Sequence, residues 1–138
     1  ATGVQVAGEK CAWSIGYASD MARFGSGKQL TAFVLDWTSD YLRAARGVAE
    51  GTWKPEVRWD GLAAGVVKMA PYNEEIPADV QAKLKQLEAD IGSGKLHPYA
   101  GELKDQDGNV KVAAGSVLSD TDIRGMNWFV NGMIGKLG

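Results

Sequence analysis

The sequence predicts an α/β domain of three layers, in which helices cover both faces of a mostly parallel sheet. Short apolar runs that suit buried strands alternate with amphipathic segments that suit helices. One of these runs, residues 30–35, is apolar at nearly every position, as expected of a strand covered on both faces. With 138 residues, of which 45% are hydrophobic, the chain is long enough to form a core of its own.

The first part of the chain predicts the order helix, strand, strand, helix. Residues 2–10 have the pattern of a helix that leads into a first apolar run at residues 11–16. Residues 30–35 form the second strand, after which Thr38 or Ser39 can cap a helix. The alternation favours a sheet in which the two strands lie side by side.

The middle of the chain predicts two short strands and then a long helix. Apolar pieces in residues 57–70 are separated by glycines, which favours two strands around a tight turn. Pro77 suits the first position of a helix, and Gly92 suits its end. Apolar residues spaced by three and four between them give this helix one apolar face.

The last part of the chain predicts a hairpin and a final helix. Asp107 and Gly108 form a hairpin signal between two apolar segments. Ser119 and Asp122 have the spacing of a capping box, which predicts a helix that runs almost to Gly138.

Composition excludes several classes of function. The formal net charge is -2 and there is no run of Lys or Arg, so the basic surface of a nucleic-acid-binding protein is missing. Cys11 and His97 are the only residues of their types, so neither an internal disulfide nor a usual zinc site can form. We expect Cys11 to be buried as a small apolar residue. Because the chain begins at Ala1 without Met, we expect that upstream residues have been removed.

Two sequence patterns resemble sites for phosphate or metal but lack essential positions. Residues 25–28 and 92–95 both read Gly-Ser-Gly-Lys, without the full spacing of a phosphate-binding loop. Asp105, Asp107 and Asn109 resemble the start of a calcium loop, but Gly108 is out of place and the twelfth position is Ser116 instead of glutamate. We interpret all of them as turns or helix ends, and predict neither a metal nor a cofactor.

The sequence offers no catalytic group that we can name. His97 precedes a proline and has no Ser or Cys nucleophile motif to serve. The acidic pairs at helix starts have a structural explanation, since negative charge there favours the helix dipole. The chain is therefore predicted not to be an enzyme.

Aromatic and acidic residues follow both predicted strands of the first half. Asp36 and Trp37 come directly after residues 30–35, and Tyr17 and Asp20 follow the first strand. Open α/β sheets bind ligands at this edge, so these four are the predicted ligand-binding residues. Rings for stacking and carboxylates for hydrogen bonds suit a small, flat, polar ligand. In the structural alternative, Trp37 packs against a helix and the two carboxylates only cap one.

In these segments the chain resembles the basic membrane protein (BMP) family, the substrate-binding components of ABC importers that include purine nucleoside receptors. The match follows family order over nearly the whole chain. The matching segments are residues 16–21, 30–37, 51–53, 59–62, 73–77, 105–108 and 126–130, with the single residues Tyr41, Gly65, Gly132 and Gly135.

The resemblance implies two α/β lobes of the type I periplasmic binding protein fold, with a ligand in the cleft between them. It extends only to the carboxyl-terminal portion of such a receptor. Residues 1–35 and 61–138 would belong to the carboxyl-terminal lobe. Residues 36–60 would form the hinge crossings and one helix of the amino-terminal lobe. Most of that lobe and the lipoprotein signal would lie outside this chain. For the complete protein, the resemblance implies a periplasmic location or a lipoprotein anchor at the cell surface.

The resemblance also implies a purine-like ligand and an ABC permease as partner. Nucleoside-binding members commonly have an acidic residue at the position of Ala18 and a lysine near residues 35–37, and this chain has neither. Both losses weaken recognition of a ribose, so a purine base or related heterocycle is the first choice and a nucleoside the second. A ligand-sensing regulatory domain and a small α/β enzyme are the alternatives from other classes.

The predicted helix after Ser39 raises a question of packing. If it belongs to a lobe that is otherwise missing, its apolar face has no sheet to cover it. We therefore expect the isolated chain to associate with another copy or with a companion fragment.

Overall fold

A computed structural model of the chain describes residues 1–135. It contains two compact units, Ala1–Gly92 and Ser93–Gly138. The elements of the first unit are, in chain order, α1 (Thr2–Glu9), β1 (Ser14–Gly16), a 3-10 turn (Ala22–Phe24), β2 (Gln29–Leu35), α2 (Thr38–Ala49), β3 (Val67–Met69) and α3 (Ala78–Gly92). Those of the second unit are β4 (Leu103–Lys104), β5 (Val110–Val112) and α4 (Asp120–Arg124).

The sheet of the first unit has the order β1-β2-β3 and confirms the α/β class. β1 and β2 are parallel, with Gly16 beside Ala32. β3 returns antiparallel to β2, so that Lys68 lies opposite Val34. Ala32 is completely buried at the centre of this sheet. The parallel pair brings the ends of β1 and β2 to the same edge.

The first unit has a small core because α1 packs closely against the 3-10 turn. Val4 is buried, and a Cβ on Gly25 would lie 2.8 Å from its Cγ1 atom. A Cβ on Gly8 would lie 2.5 Å from the carbonyl oxygen of Gly25. Only glycine fits at these two positions, since real Cβ atoms do not approach so closely.

The prediction of two strands in residues 57–70 is wrong, because only β3 forms there. Residues 52–60 run beside α2 without strand structure. Their charged side chains bind α2 and one another: Arg58 contacts Asp40 at 3.6 Å and pairs with Asp60, and Glu56 pairs with Arg43. Side-chain ion pairs therefore hold residues 52–60, where the sequence predicted the backbone hydrogen bonds of a strand.

Two residues of the first apolar run are exposed, and the prediction of a buried Cys11 is wrong. Trp13 precedes β1 and is 45% exposed, with the Lys28 ammonium 4.3 Å above its ring. Cys11 is exposed in a turn after α1, with a φ of 54°. Because β1 begins only at Ser14, the apolar run at residues 11–13 lies outside the sheet.

The second unit contains the predicted hairpin. β4 and β5 pair around a turn in which Asp105 accepts hydrogen bonds from the backbone N–H groups of Asp107 and Asn109. This confirms the interpretation of the calcium-like pattern as a turn. Within residues 1–135, no group of three or more His, Cys, Asp and Glu side chains is placed to hold a metal.

The final helix is much shorter than predicted. Ser119 and Asp122 do form the capping box, but α4 ends at Arg124. Val130 instead forms an antiparallel bridge with Asp105, and Asn131 N donates to the Lys104 carbonyl at 2.8 Å. Residues 136–138, the end of that predicted helix, lie outside the described residues.

Candidate functional site

The ends of β1 and β2 place three of the four predicted ligand residues at one edge of the sheet. Tyr17 follows β1 directly, and Asp36 and Trp37 follow β2. The two strand ends are joined by a hydrogen bond of 3.2 Å from Leu35 N to the Ala18 carbonyl. This edge, where ligands bind in open α/β sheets, is the candidate site.

Asp36 is held by two neighbours. Its Oδ1 atom accepts a hydrogen bond of 3.0 Å from Thr38 N at the start of α2. Its Oδ2 atom accepts one of 2.6 Å from the Lys68 ammonium. The hydrogen bond from Lys68, together with those from Thr38, lowers the pKa of Asp36 below its usual range. Trp37 occupies the N-cap position of α2 without a side-chain cap hydrogen bond, so the prediction that Thr38 or Ser39 caps this helix is wrong. Asp36, one residue earlier, binds the first N–H group of the helix.

Lys68 is a site residue that sequence reasoning missed. It lies on β3 opposite Val34, so both side chains point to the same face of the sheet. Asp36 lies two residues beyond Val34, and the side chain of Lys68 reaches it along that face. A single lysine in the apolar run Val66-Val67-Lys68-Met69-Ala70 was the available signal. The antiparallel register that brings it to Asp36 depends on the long connection between the strands.

The two aromatic candidates are accessible. Tyr17 is 74% exposed, and its ring meets the Phe33 ring edge to face, with centroids 4.7 Å apart. Since Phe33 and Val34 alternate, Tyr17 lies on the face opposite Lys68. Trp37 is 44% exposed at the N-terminus of α2. The edge thus carries a tyrosine on one side and an ion pair on the other.

Asp20 is positioned differently from the other three candidates. Its Oδ1 atom accepts hydrogen bonds from Ala22 N at 3.0 Å and from the Gln29 side chain at 2.9 Å. Gln29 is the first residue of β2, whereas Asp36 follows its last. These contacts connect Asp20 to the 3-10 turn and to the beginning of β2.

A groove lies away from this edge, along α2. It has a volume of about 580 Å³ and is open to solvent, and none of the four predicted ligand residues lines it. Its walls come from α2 and residues 52–56, including Leu42, Arg46 and Trp53. We regard this groove as a packing surface, because α2 contributes no buried residue to the described chain.

His97 shows no catalytic arrangement. Its Nδ1 atom accepts a hydrogen bond of 3.2 Å from Tyr99 N, and its ring lies 6.4 Å from that of Tyr99. This hydrogen bond lies within the loop of His97, so the histidine stabilises that loop. No helix in residues 1–135 is long and apolar enough to cross a membrane.

Two curated relatives match much of the chain. A purine-binding protein of Brucella abortus (strain 2308) is 41% identical over 134 residues, which cover 97% of this chain and 38% of the relative. A putative ABC transporter glucose-binding protein of Haloferax volcanii (strain DS2) is 26% identical over 98 residues, which cover 71% of this chain and 25% of that protein. The chain thus spans less than half the length of either. No protein-family model matches it.

Two solved structures share the fold at 21% sequence identity. A transcriptional activator of the comK gene from Bacillus halodurans matches with a TM-score of 0.60, over 69% of this chain and 34% of that chain. An ABC transporter solute-binding protein from Conexibacter woesei matches with a TM-score of 0.51, over 68% of this chain and 32% of that chain. The architecture is consistent with a lobe of a periplasmic binding protein. The chain is therefore similar, over nearly its whole length, to part of a purine-binding protein, and it shares the fold of an ABC transporter solute-binding protein, in agreement with the resemblance to the basic membrane protein family.

Proposed function

We propose that the complete protein is the solute-binding component of an ABC importer, and that it binds a purine base or related heterocycle and delivers it to a permease. The observation that carries this proposal is the strand-end site, where Tyr17 and Trp37 are exposed and Asp36 is paired with Lys68. The 41% identity to a purine-binding protein supports the ligand class. The same relationship supports a periplasmic or surface-anchored location for the complete protein.

Within that protein, we propose that residues 1–35 and 61–138 belong to the carboxyl-terminal lobe, and that residues 36–60 form the hinge crossings and one helix of the amino-terminal lobe. The hydrogen bond of 2.8 Å from Asp36 N to the Val66 carbonyl supports a crossing at this point, because it joins the two ends of the connection beside β2. The site then faces a cleft that closes when a second lobe covers it.

The four candidate residues have distinct roles in this proposal. Tyr17 and Trp37 provide the stacking surface for a flat ring. Asp36 accepts hydrogen bonds from ring or amino N–H groups. Asp20 is the weakest candidate as a direct contact, since Gln29 and Ala22 already bind its carboxylate. We propose that it holds the backbone after Tyr17 in place.

Calorimetric titration of the full-length protein tests the ligand class. Adenine, hypoxanthine, a purine nucleoside and glucose are titrated separately, and we expect the bases to bind most tightly. Binding of glucose alone would overturn the purine assignment.

Two tryptophan variants test the location of the site. Trp37→Ala should weaken base binding by about 10- to 100-fold, because stacking of a base on an aromatic ring contributes about 1–3 kcal/mol. Trp13→Ala is the matched control, since Trp13 is exposed to a similar extent but precedes β1. Equal effects of the two variants would contradict the proposed site.

A further inference from the structure

We infer that Lys68 contacts the ligand directly and determines specificity, by donating to an acceptor atom that lies beside a donor on one edge of the ring. This inference rests on the proposed function. It assigns Lys68 a role beyond neutralising Asp36, and it defines the chemical pattern that the ligand must present.

The ion pair has hydrogen-bonding capacity left on both partners. An ammonium carries three N–H donors, and Lys68 uses one of them for Asp36. A carboxylate has about four acceptor positions, and Thr38, through its backbone and side chain, and Lys68 leave part of that capacity open on Asp36. The Lys68 side chain is 54% exposed and that of Asp36 is 32% exposed, so both can reach a ligand. Free donors and free acceptors thus lie side by side.

The arrangement favours a neutral ligand. An anionic group placed near Lys68 also meets the Asp36 carboxylate, and a cationic group near Asp36 meets the ammonium. With the charges only 2.6 Å apart, the pair presents almost no net charge to a molecule at the edge. Phosphorylated nucleotides should therefore bind more weakly than bases.

A neutral ring can satisfy both partners only if it carries a donor and an acceptor on neighbouring atoms. Adenine has an amino donor beside ring nitrogens that accept, and hypoxanthine has a ring N–H beside a carbonyl. In either molecule, Asp36 binds the donor while Lys68 binds the acceptor. A ring without the donor leaves an acceptor of Asp36 unsatisfied, and a ring without the acceptor leaves a donor of Lys68 unsatisfied. Sites built to hydrogen-bond their ligand reject analogues that leave such groups unpaired.

The test compares adenine with analogues that each lack one group. N6,N6-dimethyladenine lacks the amino donor, and 1-deazaadenine and 7-deazaadenine each lack one ring acceptor. Affinities are measured by calorimetry on full-length wild-type protein, Lys68→Met, Lys68→Arg and Lys83→Met. Lys83 is an exposed residue of α3 and serves as the matched control.

We expect wild-type protein to bind N6,N6-dimethyladenine and one of the two deaza analogues at least 10-fold more weakly than adenine. Lys68→Met should weaken adenine binding by about 10- to 100-fold, typical of a hydrogen bond to a charged group. It should also abolish the preference for adenine over that deaza analogue. Lys68→Arg should restore part of the preference, and Lys83→Met should change nothing.

Two results overturn the proposals in distinguishable ways. If wild-type protein binds neither adenine nor hypoxanthine, the proposed function and this inference both fail. If it binds adenine but Lys68→Met retains the full preference over the deaza analogue, purine binding stands and direct contact by Lys68 is wrong. Matching circular dichroism spectra and melting temperatures of all variants exclude misfolding as the cause.

Discussion

Asp36 performs three tasks that are usually divided among several residues. Its backbone extends the pairing of β2 to Val66, while its carboxylate accepts a hydrogen bond from Thr38 N at the start of α2 and binds Lys68. Because these contacts hold Asp36 in place, they also fix the position of Trp37, which follows it. This explains why an acidic residue there serves the fold as well as the proposed site.

The lowered pKa of Asp36 predicts a dependence of stability on pH. Because its pKa in the folded state is below that in the unfolded chain, its stabilising contribution is complete above about pH 4 and is lost as the pH falls through the lower folded-state value. We expect Asp36→Asn to lower the urea midpoint at pH 7. The difference in midpoint between the variant and wild type should become smaller as the pH falls below 4. Asp79→Asn, in the first turn of α3, is the control. A constant difference from pH 7 to pH 2 would contradict this prediction.

Gly16 predicts a large effect of a small substitution. A Cβ at this position would lie 2.7 Å from the Ala32 Cβ and 2.9 Å from the Gln29 side-chain oxygen. Both neighbours are buried in β2 and cannot move easily, so Gly16→Ala should lower the free energy of unfolding by about 1–3 kcal/mol.

Gly3→Ala is the contrasting variant for this experiment. Nothing lies within 4 Å of its added Cβ, and Gly3 is within α1. Alanine should therefore stabilise the chain by about 0.5–1 kcal/mol. Chemical denaturation measures both changes, and a neutral Gly16→Ala would show that β1 and β2 are less closely packed than described.

At the scale of single elements, Tyr72 connects the loop after β3 to α3. Its hydroxyl donates to Glu88, and burial, with the hydrogen bond to that carboxylate and its negative charge, raises the pKa of Tyr72 to about 12. A raised pKa means that the stabilisation is complete below about pH 10 and is lost as the pH rises towards 12.

Tyr72→Phe should therefore lower the free energy of unfolding by about 1 kcal/mol at pH 8, with a smaller difference from wild type near pH 12. Denaturation at several pH values measures this. Tyr41→Phe, at an exposed position of α2, should have little effect. A difference that grew with pH would contradict the assigned donor and acceptor.

The capping box of α4 predicts a local effect in the second unit. Ser119 accepts from Asp122 N at 3.2 Å, and Ser119→Ala removes that bond. The change should cost about 1 kcal/mol, which corresponds to roughly fivefold faster amide exchange in residues 120–125 if they open locally. Hydrogen-exchange mass spectrometry measures it, with the exposed Ser116→Ala as control. Unchanged exchange in α4 would contradict the capping role.

The elements that the sequence predicts well have local causes. The capping box, the Asp-Gly hairpin and the strand at residues 30–35 depend on residues close together in the chain. The failures depend on distant partners: residues 52–60 follow the charges of α2, and Val130 pairs with Asp105. Lys68 belongs to the same category, since 32 residues separate it from Asp36. Only the register of β3 shows that it belongs to the site.

For the whole molecule, the exposed side of α2 predicts association of the isolated chain. Tyr41, Leu42 and Val48 are exposed, and Trp53 beside them is half exposed. Apolar side chains grouped on one surface favour association. Light scattering of the 138-residue chain should show species larger than a monomer, and Leu42→Glu with Val48→Glu should reduce them. Lys83→Glu is the control, and a monomeric wild-type chain would contradict the prediction.

The backbone bond between Asp36 and Val66 has a consequence for engineering. It closes residues 37–65 into a loop whose two ends lie next to each other at the sheet, and the Lys68 ion pair reinforces that closure. The sheet therefore needs only the two ends of the loop to be held at the right separation. Residues 37–65 can therefore be exchanged as a unit. Replacing them with the matching segment of the Brucella relative should leave β1, β2 and β3 paired and change the surface of α2.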